Sequence, residues 1–294
     1  MKHEGVFPFF MEGLLRWVTP GWRCRALVSL VFRMLWVSKI RKKVAMRNME
    51  RAFPEASEKF KEEILEKHYR HLALSLGEYL VLLKNSTKIE DYMKPEEEKR
   101  NFLDNLRDRR EGAVIFTAHM GNWELLAAWL AHRGYPMHAI VRRHEKKGTE
   151  AFVESARARV GLHTISKSDN MLKVLRLLKK GAFVGILGDQ YAGHEGISLP
   201  FFGYETSCYF GAAALALMAG VPLVPVVSWR DAPFSHCVRV CTPLFIPSRE
   251  KKSDTKELSR EERIAALTEA SNRVLEEWIR EHPEQWLWLH RRYR

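Results

Sequence analysis

The sequence predicts an α/β fold, a mixed sheet flanked by helices, with an N-terminal amphipathic helical region suited to anchoring on a membrane. Three observations predict it. From Gly112 onward, short apolar runs alternate with segments of helical period, the pattern of a sheet with helices packed on its faces. Before that point the chain reads as helix almost throughout. The first 44 residues also interleave aromatic and basic side chains.

Taken in order, Phe7, Phe9, Phe10, Trp17, Trp22, Phe32 and Trp36 alternate with Arg16, Arg23, Arg25, Arg33, Lys39, Arg41, Lys42 and Lys43. Aromatic rings suit headgroup depth, and Lys and Arg suit anionic lipid. The uncharged runs Gly5–Met11 and Ala26–Phe32 fall short of the roughly 20 residues a spanning helix needs. No secretory signal pattern appears. Two readings stand: a segment lying on the membrane, or an amphipathic helix packed on the protein's own core. A boundary is expected near Val44, dividing 1–44 from a domain over 45–294, helical to residue 111 and α/β from 112.

In the helical part, Pro54 interrupts the pattern, and Phe60, Ile64, Leu65, His68 and Tyr69 then form an apolar stripe continued by Leu72 to Leu82. Glu96–Arg110 is densely charged, a solvated helix. Strands are expected at Ala113–Thr117, Met137–Val141, Ala182–Leu187, Leu223–Trp229 and His236–Cys241. Helices are expected at Gly121–Ala131, Glu150–Val160, Met171–Lys180, Gly211–Ala219 and Glu261–Glu281. Loops after the strand C-termini are the expected active-site edge.

A net charge of +12 favours an anionic partner: phospholipid, an acidic protein or nucleic acid. The basic residues crowd the N-terminal segment rather than a nucleic-acid module, so nucleic acid is not expected. Cys24, Cys208, Cys237 and Cys241 are scattered and read as reduced thiols of a cytosolic compartment. His236 beside Cys237 lacks a second ligand pair, and no metal is expected.

One constellation at the strand edge carries chemistry: Thr117-Ala118-His119-Met120-Gly121-Asn122-Trp123-Glu124. His119 falls where the strand ends, Gly121 permits a tight turn, and Asn122 is a good helix N-cap. Inside one helix the His119 and Glu124 side chains would sit roughly 140° apart. The intervening turn instead lets Glu124 fold back to fix the tautomer of a basic imidazole. With 12 His and 36 acidic residues, an H-x4-[DE] match arises by chance, and the other reading is a capping Glu beside an incidental His. Absence of a G-x-S-x-G elbow disfavours a hydrolase.

At His119-Met120-Gly121-Asn122-Trp123-Glu124 the sequence resembles the bacterial lipid A biosynthesis acyltransferases, the late lauroyl/myristoyl family within the wider H-x4-D/E glycerolipid acyltransferases. The resemblance covers almost the whole chain. Arg47-Asn48-Met49-Glu50 with Phe53-Pro54 is similar to the family's RN…FP block, and Val141-Arg142-Arg143 to the segment carrying its arginine. Gly188-Asp189-Gln190, then Leu199-Pro200-Phe201-Phe202-Gly203, resembles its D-Q…PFFG block, and the run from Pro283 through Trp286, Trp288 and His290 to Arg292 its C-terminal signature.

The resemblance implies a glycerolipid-acyltransferase-like fold and transfer of a fatty acyl group from acyl-acyl carrier protein to a hydroxyl of a lipid A precursor. It implies His119 as general base and Glu124 as its orienter. Arg142, Asp189 and Asn122 would bind substrate or stabilise the oxyanion, and neither cofactor nor metal is implied. Work at the cytoplasmic face of the inner membrane, peripheral or monotopic, follows as an expectation. Other readings remain for single residues: Arg142 and Arg143 as solvated bases, Asp189 as a turn residue or cap. Phe201 and Phe202 either line an acyl groove or form a core edge, and Trp286 and Trp288 pack a C-terminal strand. The chain departs from the family pattern at Ser207-Cys208-Tyr209-Phe210, which leaves acceptor and chain length open. Rival functions are transfer to another membrane glycolipid or a lysophospholipid, and a non-catalytic basic membrane-binding protein.

Overall fold

The computed structural model describes residues 13–15, 17–84, 88–141, 154–166, 171–247 and 258–293, with the backbone alone over 97–100. Its centre is the strand β2 (Ala113–Thr117), paired in parallel with β5 (Phe183–Leu187) and β8 (Leu223–Ala232). The other strands are β1 (Met93–Pro95), β3 (Met137–Val141), β4 (His163–Ser166) and β9 (Ser235–Val240), giving the order β1-β9-β8-β2-β5-β3-β4. Only β8 and β9 run antiparallel, so the sheet is mixed and mostly parallel. A hairpin of β6 (Ile197–Phe201) and β7 (Tyr204–Cys208) stands apart from it.

A central parallel strand is covered on both faces and reads as an unbroken apolar run. In β2, alternate residues feed separate cores. Ala113 and Ile115 join one buried cluster; Val114 and Phe116 join the other, as a period of two requires. The longer described helices, together with the short α4, are α1 (Trp22–Ser38), α2 (Lys42–Ala52), α3 (Glu58–Lys84), α4 (Ile89–Tyr92), α5 (Glu97–Asp108), α6 (Trp123–His132), α7 (Met171–Lys179), α8 (Gly211–Ala219) and α9 (Arg260–Glu281). The 27 residues of α3, about 40 Å at 1.5 Å per residue, serve both cores. Ile64, Leu65 and Tyr69 enter one, and Leu80 to Leu83 the other.

The expected division at Val44 falls inside α2. Before it, Leu15, Val18, Cys24 and Leu27 share the core beneath α6. Helix α1 lies close on α3 because Gly77 has no side chain: a Cβ there would come within 2.9 Å of Val28 and 3.0 Å of Cys24. Its other face leaves Trp22, Leu30, Met34, Trp36 and Val37 exposed. No described helix is long and apolar enough to cross a membrane.

Three expectations change. Trp286 and Trp288 do not lie in a C-terminal strand; a 3₁₀ turn at Pro283–Gln285 leads into a single bridge between Met120 and Trp286. Phe201 and Phe202 are buried in the core, not open to a groove among the described residues. Phe201 is fully buried between Trp286, Tyr293 and the Arg292 guanidinium. Phe202 and Gly203 form the hairpin turn with φ of 49° and 76°, which turns the Phe202 ring onto Phe53 and under Arg280. The departure at Cys208 is also core: its buried Sγ accepts from Arg292 at 3.1 Å and Asn272 at 3.2 Å.

Candidate active site

Strand register assembles the site. Thr117 and Leu187 are partners at the ends of β2 and β5, and His119 and Asp189 each lie two residues beyond. The His119 Nδ1–H donates to Asp189 Oδ1 at 2.8 Å. Asp189 Oδ2 accepts from the His119 backbone N–H at 3.1 Å and from Trp286 Nε1 at 2.9 Å. Burial alone would raise the Asp189 pKa, but the imidazole's charge and these three donors hold it below the ordinary value. Burial would lower the His119 pKa; the charge and hydrogen bond of Asp189, then the charge of Glu124, outweigh it and leave the imidazole more basic than usual. With Nδ1 committed to Asp189, Nε2 is the nitrogen left to take a proton. Trp123 meets the ring edge-on at 5.1 Å, and Gln190 Nε2 lies 3.4 Å from both ring nitrogens.

Glu124 does not fold back onto the imidazole. It makes a two-point ion pair with Arg157, 2.7 Å from Nη2 and 3.2 Å from Nε. Helix α6 begins at Trp123, so its first turn carries Glu124 away toward a short helix over 154–159. The orienting carboxylate is Asp189, and Glu124 acts on His119 only through its charge.

Asn122 is likewise not a substrate ligand here. It is buried, its Oδ1 accepts from Leu125 N–H, and its Nδ2 donates to the Ser75 carbonyl and Glu78. That contact opens a buried polar hub. Glu78 accepts from Arg230 at 2.9 and 2.7 Å, from His236 at 3.0 Å and from the Phe234 backbone N–H at 3.0 Å. Burial opposes its charge, but the Arg230 and His236 bonds hold the carboxyl far below the usual range. Arg230 also donates to His71 Nδ1, whose Nε2–H donates to the Gly121 carbonyl at 3.0 Å.

Gly121 is required where it stands. Its φ is 58°, and a Cβ would lie 1.9 Å from the Ser228 carbonyl oxygen. The other side of the loop is tied to the C-terminal segment, where Gly121 N–H donates to Gln285 and Leu287 N–H to the His119 carbonyl. His119 thus sits on a loop fixed by α3, β8 and residues 285–287 together.

Comparison with known proteins identifies the family. The profile of the bacterial lipid A biosynthesis acyltransferases matches residues 9–294. The chain belongs to that family. A lipid A biosynthesis palmitoleoyltransferase of Escherichia coli is 27% identical over 262 residues, 87% of this chain and 79% of its own. A lauroyltransferase of the same organism is 25% identical over 259 residues, 87% and 80% respectively. A phosphatidylinositol mannoside acyltransferase of Mycolicibacterium smegmatis is 23% identical over 128 residues, 42% of each. The protein is therefore an O-acyltransferase.

In this acyltransferase, Arg142 lies outside the described residues, just past β3. Arg157, Glu78, Arg230 and Gln285 were not legible as site residues, since each depends on contacts across the fold. Asp189 had a signal: like His119, it is the second residue beyond an apolar strand.

A slender apolar slot runs beneath α6 from Thr117 and Leu187, at the strand ends, to Ile115 and Met137 deeper in the sheet. Leu126, Leu130 and Ile140 also wall it, and the Glu124–Arg157 pair lines it. As it stands it holds about 50 Å³.

Proposed function

We propose that this acyltransferase moves a fatty acyl group from acyl-acyl carrier protein to a hydroxyl of a lipid A precursor. The observation that carries the reading is a base with one free nitrogen beside an apolar slot. His119 Nε2 takes the acceptor hydroxyl proton, and the alkoxide attacks the thioester carbonyl. The imidazolium formed is stabilised by Asp189, and it returns the proton to the departing thiolate. Gln190 Nε2 is placed to donate to the oxyanion, with Arg142 assigned the same task by family resemblance. No enzyme nucleophile is needed. The acyl chain enters the slot and widens it by parting α6 from β3, since about 50 Å³ holds only about two water volumes.

Docking on the inner membrane's cytoplasmic face uses the exposed face of α1. There Trp22, Leu30, Met34, Trp36 and Val37 stand among the exposed Arg25, Arg33 and Lys39, the mixture an interfacial helix presents to anionic lipid.

Purified protein incubated with acyl-acyl carrier protein or acyl-coenzyme A and a set of lipid acceptors, read by mass, tests this. The expected product is a lipid A precursor one acyl group heavier, formed faster from the carrier protein. Transfer only to lysophospholipid or another glycolipid would overturn the acceptor, and equal rates from both donors would overturn the carrier. Ala127→Leu, which narrows the slot, should shift preference toward shorter acyl chains; an unchanged preference would place the chain elsewhere.

A further inference from the structure

We infer that a basic cleft between α2 and the C-terminal segment binds a phosphate group on the acceptor's headgroup, an inference that rests on the acyl transfer proposed above. Lys43, Arg47 and Arg51 follow one another at intervals of four on α2 and share one face. Like charges at that spacing destabilise a helix, and a column of three is tolerated where it meets an anion. Arg291 supplies the opposite wall. The cleft so formed measures about 450 Å³ and is lined by no carboxylate among the described residues. It shares Lys43 and Arg47 with a wider recess of about 860 Å³ that adds Lys39, Arg41 and Lys42 and one carboxylate, Glu50.

Two features mark the cleft as built rather than a loose spread of surface charge. Arg51 lies over the Tyr293 ring, its guanidinium carbon 4.4 Å from the ring centre, a contact that helps pre-organise its donors for an oxyanion. Asn48, on the same helix, is buried and donates to the carbonyls of Trp288 and His290 at 2.8 and 2.7 Å. That bond fixes α2 to the segment which, at Leu287, hydrogen-bonds the His119 carbonyl. Arg291 lies four positions beyond Leu287, a span of at most about 14 Å even when fully extended. The cleft and the catalytic base are therefore within reach of one phosphorylated glycolipid headgroup. A concave wall of converging guanidiniums suits a compact dianion; a carrier protein or a flat bilayer would be met as well by a convex basic surface.

The test uses Lys43→Gln and Arg47→Gln, both exposed positions outside the catalytic machinery, alone and together. Transfer is measured to a phosphorylated glycolipid acceptor and to the same glycolipid with its phosphates removed. For the phosphorylated acceptor, KM should rise about ten- to hundredfold in the double variant, the size expected for losing charge-assisted hydrogen bonds, while kcat stays within about twofold. The dephosphorylated acceptor should be poor with wild type and unchanged by the substitutions. Calorimetric binding of the phosphorylated glycolipid in neutral detergent, against inorganic phosphate, needs no turnover. Tight glycolipid binding lost in the variant supports the cleft even if transfer goes to another hydroxyl. Equal KM changes for both acceptors, a raised KM for the acyl donor alone, a loss that follows vesicle binding, or unaltered glycolipid binding in the variant would each overturn it.

Discussion

His119–Asp189 and His236–Glu78 are pairs of the same groups at nearly the same separation, 2.8 and 3.0 Å. The side chain of His119 is 19% exposed, whereas that of His236 is wholly enclosed. Among the described residues Asp189 has the imidazole as its one ionic partner, the arrangement that suits a charge that comes and goes. Glu78 is matched by the two-point guanidinium of Arg230, a charge that is never given up. What makes a histidine–carboxylate pair a base is thus not the pairing but a second nitrogen that can reach a substrate. The enclosed pair fixes the loop on which the open pair works.

The largest expected effect comes from breaking the open pair. His119→Ala should lower kcat/KM by about 10²–10⁴-fold with little change in melting temperature. Asp189→Asn should lower it comparably and also move the acid limb of the rate profile to lower pH, because the anion that raises the His119 pKa is gone. The double variant should cost little more than the worse single one, since the two act as a unit. An acid limb unmoved in Asp189→Asn would separate that carboxylate from the catalytic base.

Breaking the enclosed pair should show first in stability. Glu78→Gln leaves Arg230 as a buried unmatched cation, at a cost of about 3–5 kcal/mol in denaturant unfolding. If this variant unfolded like wild type and lost only activity, the assignment of architecture to one pair and chemistry to the other would be reversed.

His68 sharpens the contrast, being a buried histidine with no carboxylate bonded to it among the described residues. Its Nδ1–H donates to the Glu284 carbonyl at 3.1 Å, and burial brings its pKa down to about 4. The unfolded chain takes this proton near pH 6.5, and the folded chain refuses it until about 4. Stability from this group is therefore complete above pH 6.5 and falls as pH drops through that window, by on the order of 3 kcal/mol. His68→Gln should flatten the slope of unfolding free energy against pH there. A slope as steep as wild type would assign the acid sensitivity to other groups, His71 first.

The central strand β2 was legible because burial on both faces leaves an apolar run; it begins and ends where the sequence expects, as do β3 and α8. The edges were not. β1 has three residues ending in Pro95, and only Ile165 of β4 is buried. Such strands need little apolar character and tolerate proline. His119 was legible from the strand end and the Gly121–Asn122 turn, but its partner depends on strand order. Nothing local says that β5 lies beside β2, so Glu124, five residues away, was favoured over Asp189, 70 residues away. The Glu78–Arg230 hub spans 152 residues and left no local trace.

Trp286, Gln285 and Leu287 finish a site whose base lies more than 160 residues earlier. A ribosome that has made everything through His282 has made both members of the dyad, the slot and the hub's ion pairs, yet the loop bearing His119 lacks its last ties. The site is therefore complete only once residues 285–287 have docked on the folded sheet. A chain cut before residue 285 would keep His119 and Asp189 while losing the contacts that aim them.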